Sequence, residues 1–132
     1  MDVQKMMILH LTTQNNWQTA QRLSEYRAES LDTEGFIHCS TPEQILNVAN
    51  FLYRGVPDLL LLWLDPARVR AEIRWEAPVH PAAPLATPVE NEVEPAALFP
   101  HIYGTINLDA VLKVVDFLPD EDGVFRHVPG RA

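Results

Sequence analysis

Residues 59–64 read LLLLWL, six apolar side chains bounded by Asp58 and Asp65. Both alternating sets of side chains are apolar, as in a strand covered on two faces, and six residues fall far short of the ~20 needed to cross a bilayer. We therefore read Asp58 to Leu64 as the central strand. On its C-terminal side, Asp65-Pro66-Ala67-Arg68 provides a cap and a proline for a single helical turn. Val69 to Glu76 (VRAEIRWE) then alternates apolar and charged residues at period two, as a strand with one solvated face does. Strand, turn and strand are expected to form a hairpin-like unit.

On the N-terminal side, Ser40-Thr41-Pro42-Glu43 reads as a helix start. With Thr41 as N-cap, Pro42 takes the first helical position and Gln44 the third, which is the capping-box pattern. Ile45, Val48, Ala49 and Leu52 continue at i, i+3, i+4 and i+7, so an amphipathic helix runs to about Gly55. Before it, Phe36 to Cys39 favours a strand. Earlier still, Met6 to Leu11 (MMILHL) suits a first buried strand, and Thr12, Thr13, Asn15 and Asn16 can cap a short helix with Trp17, Ala20 and Leu23 on one face.

After the second strand the pattern breaks. The stretch from Ala77 to Leu98 carries Pro78, Pro81, Pro84, Pro88 and Pro95 with almost no periodicity, which predicts a long, mobile loop. Order returns at Phe99-Pro100-His101-Ile102-Tyr103-Gly104, and Leu108 to Leu118 predicts a last strand after one helical turn. From Gly123 a short hairpin arm with a frayed end is expected. The whole reads as a single α+β domain over residues 1–132, with a mixed or antiparallel split sheet and no Gly-rich phosphate loop.

Composition narrows the partners. A net charge of −8, with eight acids against Lys113 alone between Leu85 and Phe125, disfavours long nucleic acid, whose phosphates need clustered Lys and Arg. The acidic stretch lacks the Gly and spacing of a calcium loop. The opening residues give no apolar segment ending in small residues, so a cytoplasmic protein without a secretory signal or membrane span is expected. The one cysteine, Cys39, excludes an internal disulfide.

Four polar groups interrupt apolar, strand-like stretches: His10, the His38-Cys39-Ser40 trio, Glu76, and His101 beside Tyr103. Polar groups in such places need partners or a cleft. His101 sits between Pro100 and Gly104 on what reads as a stiff loop. Glu76 follows Trp75 at a strand end, where partial desolvation suits a carboxylate to proton transfer. We expect His38 and His101 to lie within side-chain reach of each other. Zinc binding is disfavoured because no H-x-x-x-H or C-x-x-C pair is present, and Cys39 reads more readily as a buried hydrophobe than as a nucleophile.

The phrases GFIHCST-x-EQ (Gly35 to Gln44), VAN-x-LYRG (Val48 to Gly55), RWE (Arg74 to Glu76) and FPHIYG (Phe99 to Gly104), in this order, closely resemble a family of small bacterial and plant proteins known as domain of unknown function 952. The resemblance covers most of the chain, from His10 to about Phe125. It implies a distant grouping with the ADP-ribosyltransferase-like fold, a split-sheet cleft that binds nicotinamide dinucleotide in its active members. Leu9 to Thr13 looks like their first strand, where a histidine, here His10, holds a ribose; Leu11 stands where glycine is usual. Gly35 to Ser40 resembles the second motif, with His38 and Ser40 in place of the Tyr-Phe pair. Glu76 matches the third, an acid that stabilises a ribosyl cation.

The family itself implies no established activity; from the residues and the transferase-like cleft together we expect an enzyme acting at the ribosyl centre of a nucleotide-like small molecule, with Glu76, His101 and His38 as catalytic residues and His10, Ser40, Thr41 and Tyr103 contacting the ligand. NAD enters as a substrate, and no cofactor is assigned. The alternative is a binding module that kept the cleft without the chemistry.

Overall fold

The computed structural model describes residues 7–78 and 98–131 of the chain. Its elements run β1 (Ile8–Thr13), α1 (Gln14–Leu23), β2 (Glu25–Tyr26), α2 (Glu29–Thr33), β3 (Ile37–His38), α3 (Ile45–Leu52), β4 (Leu59–Leu64), β5 (Glu72–Glu76), β6 (Phe99–Tyr103), β7 (Ile106–Asn107), a 3-10 turn (Leu108–Ala110) and β8 (Val111–Asp116). The class is α+β, and every strand pairing among the described residues is antiparallel.

β4 is the centre of a three-stranded sheet ordered β1-β4-β8. All six of its residues are buried, because each face meets a separate core. Leu59, Leu61 and Trp63 face α3 residues Ile45 and Ala49 together with Phe117 and Phe125. Leu62 and Leu64 face Ala20 of α1, Tyr26, and Ile37 and Ile102 of a second sheet, ordered β3-β6-β5. The period-two logic that predicts double coverage thus also separates the two cores. β1 obeys it too: Leu9 and Leu11 join the α3 side, while Ile8 faces the second sheet. β1 lies two residues later than Met6–Leu11 because Thr12 and Thr13 pair with Leu60 and Leu59.

The expected hairpin of β4 and β5 does not form. Both edges of β4 are taken by β1 and β8, so β5 pairs instead with β6 in the other sheet. The connection between them is tied down as it crosses: Asp65 N–H donates to Ala110 O at 2.9 Å, and the Asn107 side chain accepts from Arg70 N at 3.0 Å and donates to Arg68 O at 2.9 Å. The two larger sheets meet at one bridge, where Leu9 and Ser40 exchange backbone hydrogen bonds of 2.8 and 2.9 Å. A third, two-stranded sheet pairs β2 with β7.

α3 begins as its sequence dictates. Gln44 N–H donates to Thr41 Oγ1 at 3.2 Å, and Thr41 N–H donates to Gln44 Oε1 at 2.9 Å, so the capping box is closed although residues 42–44 form a tighter turn than an α-helix. Thr41→Ala is expected to lower stability by about 1 kcal/mol in urea unfolding, and Thr41→Ser to recover most of it. Equal stability of the two variants would show the cap to be idle. α1 starts at Gln14 with Thr13 as its cap, and Leu23, expected on its buried face, is exposed because the helix ends there and Ser24 turns left-handed.

The C-terminal residues do not make a hairpin ladder. After a tight turn at Asp120–Gly123 they run as an irregular strap, because side chains satisfy their backbone groups instead. Asn50 donates to Phe125 O at 2.9 Å and accepts from Phe125 N at 2.7 Å, and Trp63 Nε1 donates to Pro129 O at 3.0 Å. Gly130 is left-handed there, and a Cβ on it would meet Trp63 Nε1 at 2.6 Å. The proline-rich stretch expected to be mobile lies almost wholly at 79–97, outside the described residues. Among the described residues no helix is long and apolar enough to cross a membrane.

Candidate functional site

A cavity of about 360 Å³ opens beside the Leu9–Ser40 bridge. Its walls come from His10, Leu11 and Thr12 of β1, from Glu29, Ser30 and Glu34 around α2, from His38 of β3 and the Cys39 and Ser40 that follow it, from Asn47, Val48, Phe51 and Leu52 of α3, and from Phe99 and His101 of β6. Its size falls within the ~300–1,000 Å³ of small-molecule sites. The structure therefore brings His10, His38, Ser40 and His101 to one cavity, while Glu76, Tyr103 and Thr41 stand outside its wall.

The second sheet explains this placement. Its registers put His38 opposite His101 and His101 opposite Arg74, and side chains two residues along share the same face. His38, His101, Tyr103 and Glu76 thus crowd one face, while Ile37, Ile102 and Ile73 turn to the core. The His38 and His101 rings meet edge to face with centroids 5.5 Å apart, as their matching interruptions of apolar stretches suggested.

His101 is buried, and its Nδ1 lies 2.8 Å from Glu76 Oε1. The same oxygen accepts the Tyr103 hydroxyl at 2.6 Å. The Tyr103 and His101 hydrogen bonds hold the Glu76 carboxyl below its ordinary range. Because a carboxylate only accepts, Nδ1 carries the proton and Nε2 is the ring nitrogen left to act. No described residue hydrogen-bonds that nitrogen. Phe36 stacks on the ring at 4.1 Å and 19°, fixing its plane. Glu76, expected to face a ribosyl cation directly, stands behind His101 and orients it.

His38 lies closer to solvent, with Nε2 3.1 Å from Glu34 Oε1. Glu34 was not singled out from the sequence, although its place four residues before His38 is a local signal. His10 belongs to a closed network instead. Its Nδ1 is 2.6 Å from His38 O, a group that can only accept, so Nδ1 is protonated and Nε2 accepts from Tyr26 Oη at 2.8 Å. With that proton committed, Thr12 donates to Tyr26 across 2.9 Å. Burial lowers the His10 pKa to about 4 and raises that of Tyr26 to about 12, so both stay neutral near pH 7. Tyr26 carries no sequence signal, because β2 is two residues long and pairs with β7, some eighty positions away.

Ser40 is buried at the wall, whereas Thr41 closes the α3 cap. The Cys39 thiol is packed in the core, and burial pushes its pKa well above the ordinary value, which removes it as a nucleophile. Among the described residues no three His, Cys, Asp or Glu side chains gather to hold a metal ion. The arrangement offers a carboxylate-oriented histidine at a small, largely apolar cavity, the constellation of a general base.

Comparison with known structures supports the architecture. The crystal structure of protein CC0527 from Caulobacter crescentus is 25% identical, covers 91% of this chain and 93% of its own, and superimposes with a TM-score of 0.72. A double mutant of that protein matches equally, and its solution structure gives 24% identity and a TM-score of 0.70, with 92% of each chain covered. No curated protein matches the chain. The family described as "Protein of unknown function (DUF952)" matches residues 11–114, a span that holds the end of β1, all of β2 to β7, most of β8 and all the cavity residues except His10. That match, over more than half of the sequence, places the chain in the DUF952 family.

Proposed function

We propose that the cavity is a small-molecule site for acid–base chemistry at the ribosyl centre of a nucleoside-like compound, with His101 as the base. The observation that carries this reading is His101 at the cavity wall, backed by Glu76 on Nδ1, with Nε2 engaged by no described residue. Support for an ADP-ribosyltransferase-like cleft comes from the junction of two antiparallel sheets at Leu9 and Ser40, with the cavity beside it.

Charge refines the ligand. Among the described lining residues there is no lysine or arginine, while Glu29 and Glu34 are present. A pyrophosphate would find no cationic partner on these walls, whereas a cationic pyridinium riboside would be attracted. In the step we infer, the C1′–N bond breaks with its electron pair going to the ring nitrogen, which neutralises the pyridinium. A water oxygen bonds to C1′ and gives its proton to His101 Nε2, and Glu76 stabilises the resulting imidazolium.

The test is to incubate the purified chain with nicotinamide riboside and, separately, with NAD, and to follow nicotinamide release by chromatography. Faster release from the riboside, lost in His101→Gln, is expected. Absence of release from both compounds would end the catalytic reading. A non-catalytic binding module is the second reading, favoured by His10, whose two ring nitrogens are both engaged within the protein. Ring-shift changes at His38 and His101 on adding the riboside, without turnover, would establish it.

A further inference from the structure

The geometry points to Tyr103 as a positioning residue that locks the Glu76 carboxylate onto His101. The sequence placed Tyr103 among ligand contacts, but it is not part of the cavity wall; its hydroxyl is directed to Glu76 Oε1, the oxygen that also receives His101 Nδ1–H. Glu76 lies at the end of β5 with its side chain about a third exposed, 36%. One hydrogen bond to a buried ring leaves such a side chain free to rotate into water. A second donor on the same oxygen removes that freedom.

The phenol is itself held. The Arg74 guanidinium stacks 4.4 Å above the Tyr103 ring, and Arg74 is tethered in turn by Glu72 at 3.0 Å. A cation over the ring face draws charge from the phenol and sharpens its hydroxyl as a donor. Phe36 packs against both Tyr103 and His101, with centroids 5.3 and 4.1 Å away. Tyr103 belongs to neither core cluster, so its hydroxyl has no evident part in the fold apart from this bond. The inference deepens the acid–base reading of His101 and rests on it for its use, but its test needs no turnover.

Y103F keeps the ring and its contacts and removes only the hydroxyl. In the isotope-labelled full chain, two signals are followed by NMR: the Glu76 carboxyl carbon against pH, and solvent exchange of the His101 Nδ1–H proton. In Y103F the Glu76 midpoint is expected to rise toward the ordinary carboxylate range, and the Nδ1–H proton to exchange about tenfold faster. Amide exchange in Leu59 to Leu64 stays at the wild-type rate, which reports the fold. In E76A the added Y103F change should accelerate exchange no further, because the lock acts through the Glu76 oxygen. R74Q, which keeps the phenol, should speed Nδ1–H exchange by a smaller factor; its Glu76 midpoint also rises through loss of the direct attraction of the Arg74 charge and does not report the lock. Unchanged signals in Y103F, or equal acceleration by Y103F with and without the Glu76 side chain, would overturn the assignment. Failure to release nicotinamide would leave these results standing and strike only at the proposed reaction.

Discussion

Glu76→Gln is expected to lower turnover at the His101 site by about 10²- to 10⁴-fold, the usual contribution of a positioned acid–base group, while the melting temperature moves by only a few degrees. Gln keeps the length of the side chain and an Oε1 that still accepts from Tyr103 and His101, so the ring remains held in the same tautomer. What disappears is the negative charge that stabilises the imidazolium formed when Nε2 takes a proton. Glu76 is partly exposed at a strand end, and its replacement opens no cavity in either core. Initial rates of nicotinamide release, measured beside thermal unfolding and ligand binding, separate the effects. A variant that turns over at the wild-type rate would show the carboxylate to be incidental, and one that unfolds would show it to be structural.

Acid should weaken the fold through His10 by roughly 3 kcal/mol between pH 6.5 and about 4. Burial drives this shift, with the hydrogen bond to His38 O partly opposing it. Above pH 6.5 the ring is neutral in both folded and unfolded chains and contributes no pH dependence. As pH falls below 6.5 the unfolded ring takes a proton that the folded one refuses, so stability declines with each step in pH. Below about 4 both rings are charged, and the decline from this source ends. Asp122, held near 2 by Arg126, contributes in a lower window: its share is present above the unfolded carboxylate range and is lost as pH falls through about 2. Urea unfolding of the wild type and of His10→Gln across pH 4 to 7 checks the assignment, because Gln keeps a donor and an acceptor but does not titrate. A flatter profile in the variant is expected. Parallel profiles, or an NMR titration of the His10 ring near 6.5, would sink it.

The candidate site was partly legible in advance. His38 and His101 each break an apolar run beside a turn signal, and in the structure they are register partners. Arg74 and Glu76 lie on the charged face of an alternating segment and share the face that holds these histidines. The roles were less legible than the places. His10 reads like a ligand contact but spends both nitrogens inside the protein, and Glu76 reads like a wall of the cleft but stands behind His101. A side chain's partners lie tens of residues away in the chain, and no local window contains them.

By itself the sequence determined which segments form strands and helices wherever a period extends over five or more residues. It also determined the α3 cap, whose two side chains lie three positions apart, and the double burial of Leu59 to Leu64. Only the tertiary structure decided that β5 pairs with β6 rather than β4, that two-residue strands join Glu25–Tyr26 to Ile106–Asn107, and that Tyr103 and His101 meet on one oxygen of Glu76. Periodicity is settled by which face of a short segment avoids water. Pairing is settled by which strand edges remain open once every other segment has found its place, and that is a property of the whole chain.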